Sequence, residues 1–199
     1  MRSYFALESP PTLDGWASLA ELVDSPSALV ARVESTRAAV GAPDRRVAAS
    51  IDFLGVVARV LSPALRSAVD TDIVPRLSLG AVWWRPAVPG PMRLSYRAVP
   101  AAPAAEFVPA VVSPVVAPLV AAYRASFALS AKVLWGDVAS ALNGAVLSLG
   151  RGTSFVRTVL SQPPLAGTAR ALPPTFVRNS CCLFYRVPGA GLCADCILR

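Results

Sequence analysis

Residues 44–61 read DRRVAASIDFLGVVARVL, and their pattern decides what kind of chain this is. Asp44 is a natural N-cap, and Val47, Ile51, Leu54, Ala58 and Leu61 recur at steps of three and four, which predicts a helix with one buried stripe. Working outward, Ser25-Pro26 followed by Leu29, Val30, Val33 and Val40, with Gly41 behind them, predicts a preceding helix with cap, first-turn proline and C-terminal glycine. On the other side, Ser62-Pro63 reads as the restart of a short third helix.

Beyond residue 76 the period changes. Residues 77–85 and 92–99 are rich in β-branched and aromatic side chains and flank Pro89-Gly90-Pro91, which predicts two antiparallel strands around a turn. Residues 99–105 read as a Pro/Ala linker. Ser113-Pro114 then opens a helix expected to reach about Leu129, bent near Pro118, and Ser130 caps another over residues 131–149, closed by Gly150. A short helix near residues 154–160 precedes an irregular stretch with Pro163-Pro164 and Pro173-Pro174. The expectation is an α+β fold: a helix-rich body over residues 1–170, with a small antiparallel hairpin, and a C-terminal metal-binding segment over residues 171–199.

Composition excludes several function classes. The 199 residues are 54% hydrophobic with mean hydropathy +0.53, much of it Ala and Val, which suits closely packed small-residue helices. The uncharged run 107–123 is shorter than the roughly 20 residues of a spanning helix and carries Pro109, Pro114 and Pro118, so a buried helix is expected and no transmembrane span, with room left for peripheral membrane contact. Residues 1–8 lack the apolar core of a signal peptide, and Pro10-Pro11 follow, which points to a cytoplasmic protein. The net charge of +7 comes from 19 basic residues, all Arg except Lys132, against 12 acidic ones. They are scattered in ones and twos along the chain, so nucleic acid is not an expected partner. With no histidine, every His-dependent acid–base or nucleophilic scheme is excluded. The Gly-x-Gly strings at Gly150 and Gly189 lack the setting of a dinucleotide site and read as turns.

The chemistry is concentrated at the end of the chain. All four cysteines lie within residues 181–196: Cys181 and Cys182 adjacent, ten residues, then Cys193-Ala194-Asp195-Cys196. Residues 183–187 look strand-like, Pro188 to Gly191 carry turn chemistry, and Leu192 begins a return, so a short hairpin is expected to bring the pairs together. A CxxC turn serves zinc and iron–sulfur equally well. Adjacent cysteines on an extended strand would point to opposite faces, so the backbone there must kink, and a dinuclear centre offers their sulfurs more places than one tetrahedral ion.

The string FVRNSCCLFYR at residues 176–186, with its CC-x10-CxxC spacing, resembles the C-terminal signature of the ferric iron reductase (FhuF-like) family, whose members hold a [2Fe–2S] cluster and reduce ferric siderophores. The segments DRRVAAS (44–50) and LWGDVASAL (134–142) look like the helical body of such proteins. The resemblance implies Cys181, Cys182, Cys193 and Cys196 as cluster ligands, a ferric siderophore as substrate, and, since no flavin or nicotinamide site is visible, an external reductase or ferredoxin as electron donor. The competing readings are a zinc-stapled structural module and an iron–sulfur carrier without siderophore activity. Arg178 and Arg186, flanking the first cysteine pair, and Arg199 are candidates to stabilise the cluster's negative charge. Trp83-Trp84-Arg85 and Tyr185 are candidates for a substrate wall.

Overall fold

A computed structural model describes residues 4–9, 12–87, 91–171 and 175–199. Its elements in chain order are β1 (Ala17–Ser18), α1 (Leu19–Asp24), α2 (Pro26–Val40), α3 (Arg45–Thr71), β2 (Ile73–Pro75), β3 (Val82–Arg85), β4 (Arg93–Tyr96), β5 (Ala101–Pro103), α4 (Ala117–Phe127), α5 (Ala131–Leu149), α6 (Thr153–Leu160), β6 (Ala169–Ala171) and β7 (Val177–Arg178). The fold is α+β and helix-rich, with small antiparallel sheets β1-β3-β4, β2-β5 and β6-β7.

The capped helices form where their caps are written. The Ser25, Asp44 and Ser130 side chains accept the N–H groups of Ala28, Val47 and Val133 at 3.2, 2.9 and 3.3 Å, and α2 and α5 end on Gly41 and Gly150 in the left-handed region. Helix α3 is the axis of the body, packed against α2, α4 and α5. Val47, Phe53, Val56, Val57, Val60, Leu61 and Leu65 on it are fully buried. Phe53 meets Tyr123 of α4 edge-on at 5.0 Å between centroids.

Three expectations give way in the body. Ser62-Pro63 does not restart a helix; α3 runs through it, with Ser62 Oγ donating to the Ala58 carbonyl at 2.6 Å. An interior proline costs about 3 kcal/mol, which burial of Leu61 and Leu65, at about 1.5–3 kcal/mol each, offsets. Residues 101–103 are not linker: they form β5, which pairs with β2 in the register Val74 to Ala102, and residues 104–106 make a 3-10 turn. The helix expected from Ser113 starts earlier, as a π-helix over Val108–Val116, before continuing as α4. The wider turn, closed by Ala117 N–H on the Val112 carbonyl, accommodates Pro114, and Val108, Val111, Val112, Val115 and Val116 are all buried.

The predicted hairpin is present as β3 against β4, Val82 opposite Tyr96 and Arg85 opposite Arg93. It is shorter than expected, and β1, which the sequence did not announce, adds to its other edge. Pro89 and Gly90 of the turn, Pro10-Pro11, residues 1–3 and Pro173-Pro174 lie outside the described residues. Among those described, α3 and the continuous helix over Ala104–Phe127 are long and apolar enough to cross a membrane, and 78% and 56% of their most apolar windows are buried inside the fold.

Candidate iron–sulfur centre

The chain reaches the cysteines through β7, whose Arg178 lies against α5, and leaves them through a 3-10 turn at Phe184–Arg186 that rests on α3. The hairpin expected over residues 183–192 is absent. Leu183 instead adopts φ 64°, a left-handed conformation that costs a side-chain-bearing residue about 1–2 kcal/mol, and this turns its N–H back onto Cys181 Sγ at 3.4 Å. The kink that adjacent cysteines demand is therefore made at the residue after them. The second pair sits on a turn closed by Cys196 N–H on the Cys193 carbonyl at 3.3 Å, and Leu198 N–H points at Cys196 Sγ at 3.4 Å.

These turns bring the sulfurs of Cys182 and Cys193, eleven residues apart, to 3.6 Å. Cys182 and Cys196 are buried, while Cys181 and Cys193 are partly accessible. Among the described residues no three Cys, Asp or Glu side chains converge on one point as ligands of a single ion would.

Arg178 ties this segment to the body. It is fully buried. One Nη donates to Asp137 Oδ1 on α5, the other to Cys193 Sγ at 3.2 Å, and Nε lies 3.2 Å from Asp195 Oδ2, an ion-pair contact without hydrogen-bond alignment. Ser50 of α3 donates to Asp137 Oδ2 at 3.2 Å. A polar line thus runs Ser50–Asp137–Arg178–Cys193 from α3 across α5 to the cysteine segment. Burial opposes the guanidinium's charge, but Asp137, then Cys182 and Asp195, hold it protonated more firmly than usual. Burial pushes Asp137 up to about 7 against the pull of Arg178 and Ser50. Burial and the neighbouring Cys182 raise the metal-free Cys193 thiol to about 12, and burial raises Cys181 as well. These thiols become thiolates when a metal takes the proton's place.

The close seating involves Gly136. A Cβ there would stand 2.0 Å from Ser180 Oγ, so any other residue would force the buried Ser180 hydroxyl to rotate away. The segments 44–50 and 134–142 thus face the cysteines: Ser50, Gly136 and Asp137 as described, and Asp44 through an ion pair with Arg186 at 3.3 Å. Sequence reasoning singled out both segments but not Asp137, Ser50, Gly136 or Asp195. The signal available was Asp137, the single acidic residue in a helix made mostly of small and apolar residues.

Of the other candidates, Arg186 is about two-fifths exposed, and Arg199 is exposed and donates to the Ala194 carbonyl at 3.3 Å. Trp84 is half-buried beneath the guanidinium of Arg32, 4.7 Å away, while Arg85 stacks on Trp16 and pairs with Glu8. Of the candidates Trp83-Trp84-Arg85, Trp83 is half-buried opposite Ser95, Trp84 has Arg32 and not Arg85 against its ring, and Arg32 is held from behind by Asp52 at 3.1 Å. Tyr185 is exposed beside the cysteines.

A helix-rich α+β body thus carries its four cysteines on one C-terminal segment. Residues 178–196, about a tenth of the chain, match the family model described as the FhuF 2Fe-2S C-terminal domain; this similarity defines the class, an iron–sulfur protein, and points to a [2Fe–2S] cluster as its cofactor. No curated protein matches it. The residues fit that cofactor. The donors in the segment are thiols, the sulfur ligands such clusters take. The 3.6 Å between Cys182 and Cys193 is close to the roughly 3.7 Å edge of a tetrahedron with metal–sulfur bonds of about 2.3 Å. N–H donors already face Cys181, Cys193 and Cys196.

Proposed function

We propose that this chain is a ferric-siderophore reductase: Cys181, Cys182, Cys193 and Cys196 ligate the cluster, an external reductase or ferredoxin loads it, and one electron passes to chelated Fe(III), releasing Fe(II) for iron assimilation. The observation that carries the reading is the cysteine segment seated on the body by the buried Arg178, with one cysteine sulfur at the end of its guanidinium. When bound, the cluster supplies reversible one-electron storage at a potential set by its surroundings.

The chain's own residues supply the surroundings. Arg178 places a cation and a charge-assisted hydrogen bond on Cys193, which favours the more negative reduced state. Leu183 and Leu198 N–H groups do the same more weakly at Cys181 and Cys196. Exposed Tyr185, Leu192 and Leu198, with Arg186 and Arg199 among them, make the approach apolar and basic, suited to an anionic chelate and to an acidic donor protein. Hard oxygen chelators hold Fe(III) far better than Fe(II), so a single electron loosens the metal and no side-chain proton transfer is needed. We place the protein in the cytoplasm, whose reducing conditions suit four clustered cysteines that serve as ligands.

The test is to mix anaerobically reduced protein with a ferric hydroxamate in the presence of a ferrous-specific chelator. Return of the oxidised spectrum with one trapped Fe(II) per electron is expected. A cluster that stays reduced with every ferric siderophore, yet is oxidised by a protein acceptor, would make the chain an electron carrier. Stoichiometric zinc without sulfide would make it a stapled module.

A further inference from the structure

The arrangement of the sulfurs goes beyond the ligand set. We infer that the four cysteines divide crosswise over the two iron positions, Cys182 with Cys193 on one and Cys181 with Cys196 on the other, and that the iron held by Cys182 and Cys193 is the one that takes the electron. The inference rests on all four cysteines being ligands.

The pairing follows from three observations. Cys182 and Cys193 stand 3.6 Å apart, the separation of two sulfurs sharing one tetrahedral metal and too short for sulfurs on different irons of a cluster. Among the described residues no third Cys, Asp or Glu joins them, so with all four cysteines as ligands the remaining two sulfurs fall to the second position. Those two share a local geometry: each accepts the N–H of the residue two further on, Leu183 for Cys181 and Leu198 for Cys196, both at 3.4 Å. The alternative sequence-local division would set Cys181 and Cys182 on one iron, and the left-handed turn at Leu183 works against it by fixing Cys181 Sγ through its own backbone contact. The CxxC turn is split as well, its two sulfurs serving different irons.

The placing of the electron follows from charge. Each sulfur of the Cys181–Cys196 pair has a neutral backbone donor, whereas Cys193 has the guanidinium of a buried arginine at 3.2 Å. A charge-assisted bond stabilises added negative charge about twice as well as a neutral one. On reduction by dithionite, one electron enters, one of the two ferric ions becomes ferrous, and no bond is made or broken.

Hyperfine-shifted proton NMR of the anaerobically reduced protein reads this directly, because the cysteine β-protons on the ferrous and the ferric iron differ in shift and in temperature dependence. The protons are assigned by single Cys→Ser replacements, and in the unaltered protein by contacts of Cys181 with Leu183 and of Cys196 with Leu198, so an unstable variant does not stop the measurement. Cys182 and Cys193 are expected together on the ferrous side. Finding them together on the ferric side would overturn the placing of the electron, and any division that joins Cys181 with Cys182 would overturn the pairing. Iron and acid-labile sulfide at 2:2 with all four cysteines shifted upholds the ligand reading whichever sorting is found; a cysteine whose protons show no hyperfine shift would overturn both.

Discussion

Between Arg45 and Leu149 the chain is held mainly by apolar contact: α3 packs against α5, and most inward side chains are Ala, Val, Leu or Phe, with Asp52 and Arg59 the buried ions apart from Asp137. From Val177 to Arg199 the regular structure is β7 and one 3-10 turn, and what is buried there is Arg178, Ser180, Cys182, Val187, Asp195 and Cys196. The first region draws its stability from the transfer of hydrocarbon out of water, which tolerates loss of a contact. The second depends on ions and thiols whose burial is favourable only when every partner is present. The two regions should therefore answer very differently to removal of a single group.

The largest effect is expected from taking away the metal or its ligands. Deleting residues 192–199, or replacing Cys182 by Ser, should abolish the visible absorption of the cluster while the far-ultraviolet helical signal of the body persists. A body that loses its helices with the cluster would show that the segment is part of the core, and the contrast would fail.

Next comes Arg178→Gln. Its guanidinium serves Asp137, Cys193 and Asp195 at once, so its loss leaves a buried carboxylate without its cation, typically worth about 3–5 kcal/mol. The cluster should become labile and, where retained, its potential should fall by tens of millivolts, since about 60 mV corresponds to about 1.4 kcal/mol for one electron. Adding Asp137→Asn should restore much of the stability and little of the potential. Urea unfolding and redox titration of both variants separate these two roles of one arginine.

Asp137 also gives the comparison a pH dependence. Its folded pKa of about 7 lies above the 3.8 of an ordinary aspartate, so the folded state holds the proton more tightly than the unfolded one. Its contribution is complete below about pH 4 and is lost as pH rises through 7. Relative to Asp137→Asn, the unaltered protein should lose stability between pH 5.5 and 8 in anaerobic urea titrations. Parallel stability curves for the two proteins would mean that Arg178 keeps Asp137 ionised throughout.

The same contrast explains what could be read from the sequence. Helices α2, α3 and α5 were legible because caps and apolar spacing are local signals, carried at Ser25, Asp44 and Ser130 by single side chains. The run through Pro63 and the π-helix at Val108–Val116 were not, because there tertiary burial overrode the local preference of proline. At the site, cysteine spacing disclosed a ligand set and left zinc and iron–sulfur open, the resemblance of residues 176–186 pointing to the cluster, while Leu183 to Val187 looked like a strand and is a turn directed at sulfur. Asp137 lies 41 residues before Arg178, and nothing in the spacing of residues that far apart announces their contact.

The smallest effect should come from Arg186→Gln, and it is the sharpest comparison because Arg178 and Arg186 flank the same cysteine pair in sequence. Arg178 is carried inward by β7 and ends on Cys193. Arg186 stands at the end of the 3-10 turn with 43% of its side chain exposed, and its partner, 3.3 Å away, is the equally exposed Asp44. A solvent-screened pair of this kind contributes about 0–1 kcal/mol, and water and salt screen its charge from anything a Debye length of about 10 Å away. The expected result is an unchanged spectrum, a potential equal to that of the unaltered protein within error, and at most a slight loosening of the start of α3. A potential that falls in Arg186→Gln as far as in Arg178→Gln would mean that the cluster feels charge through the solvent face as strongly as through the buried one, and the division between a dry, ion-linked side and an open, screened side would have to be given up.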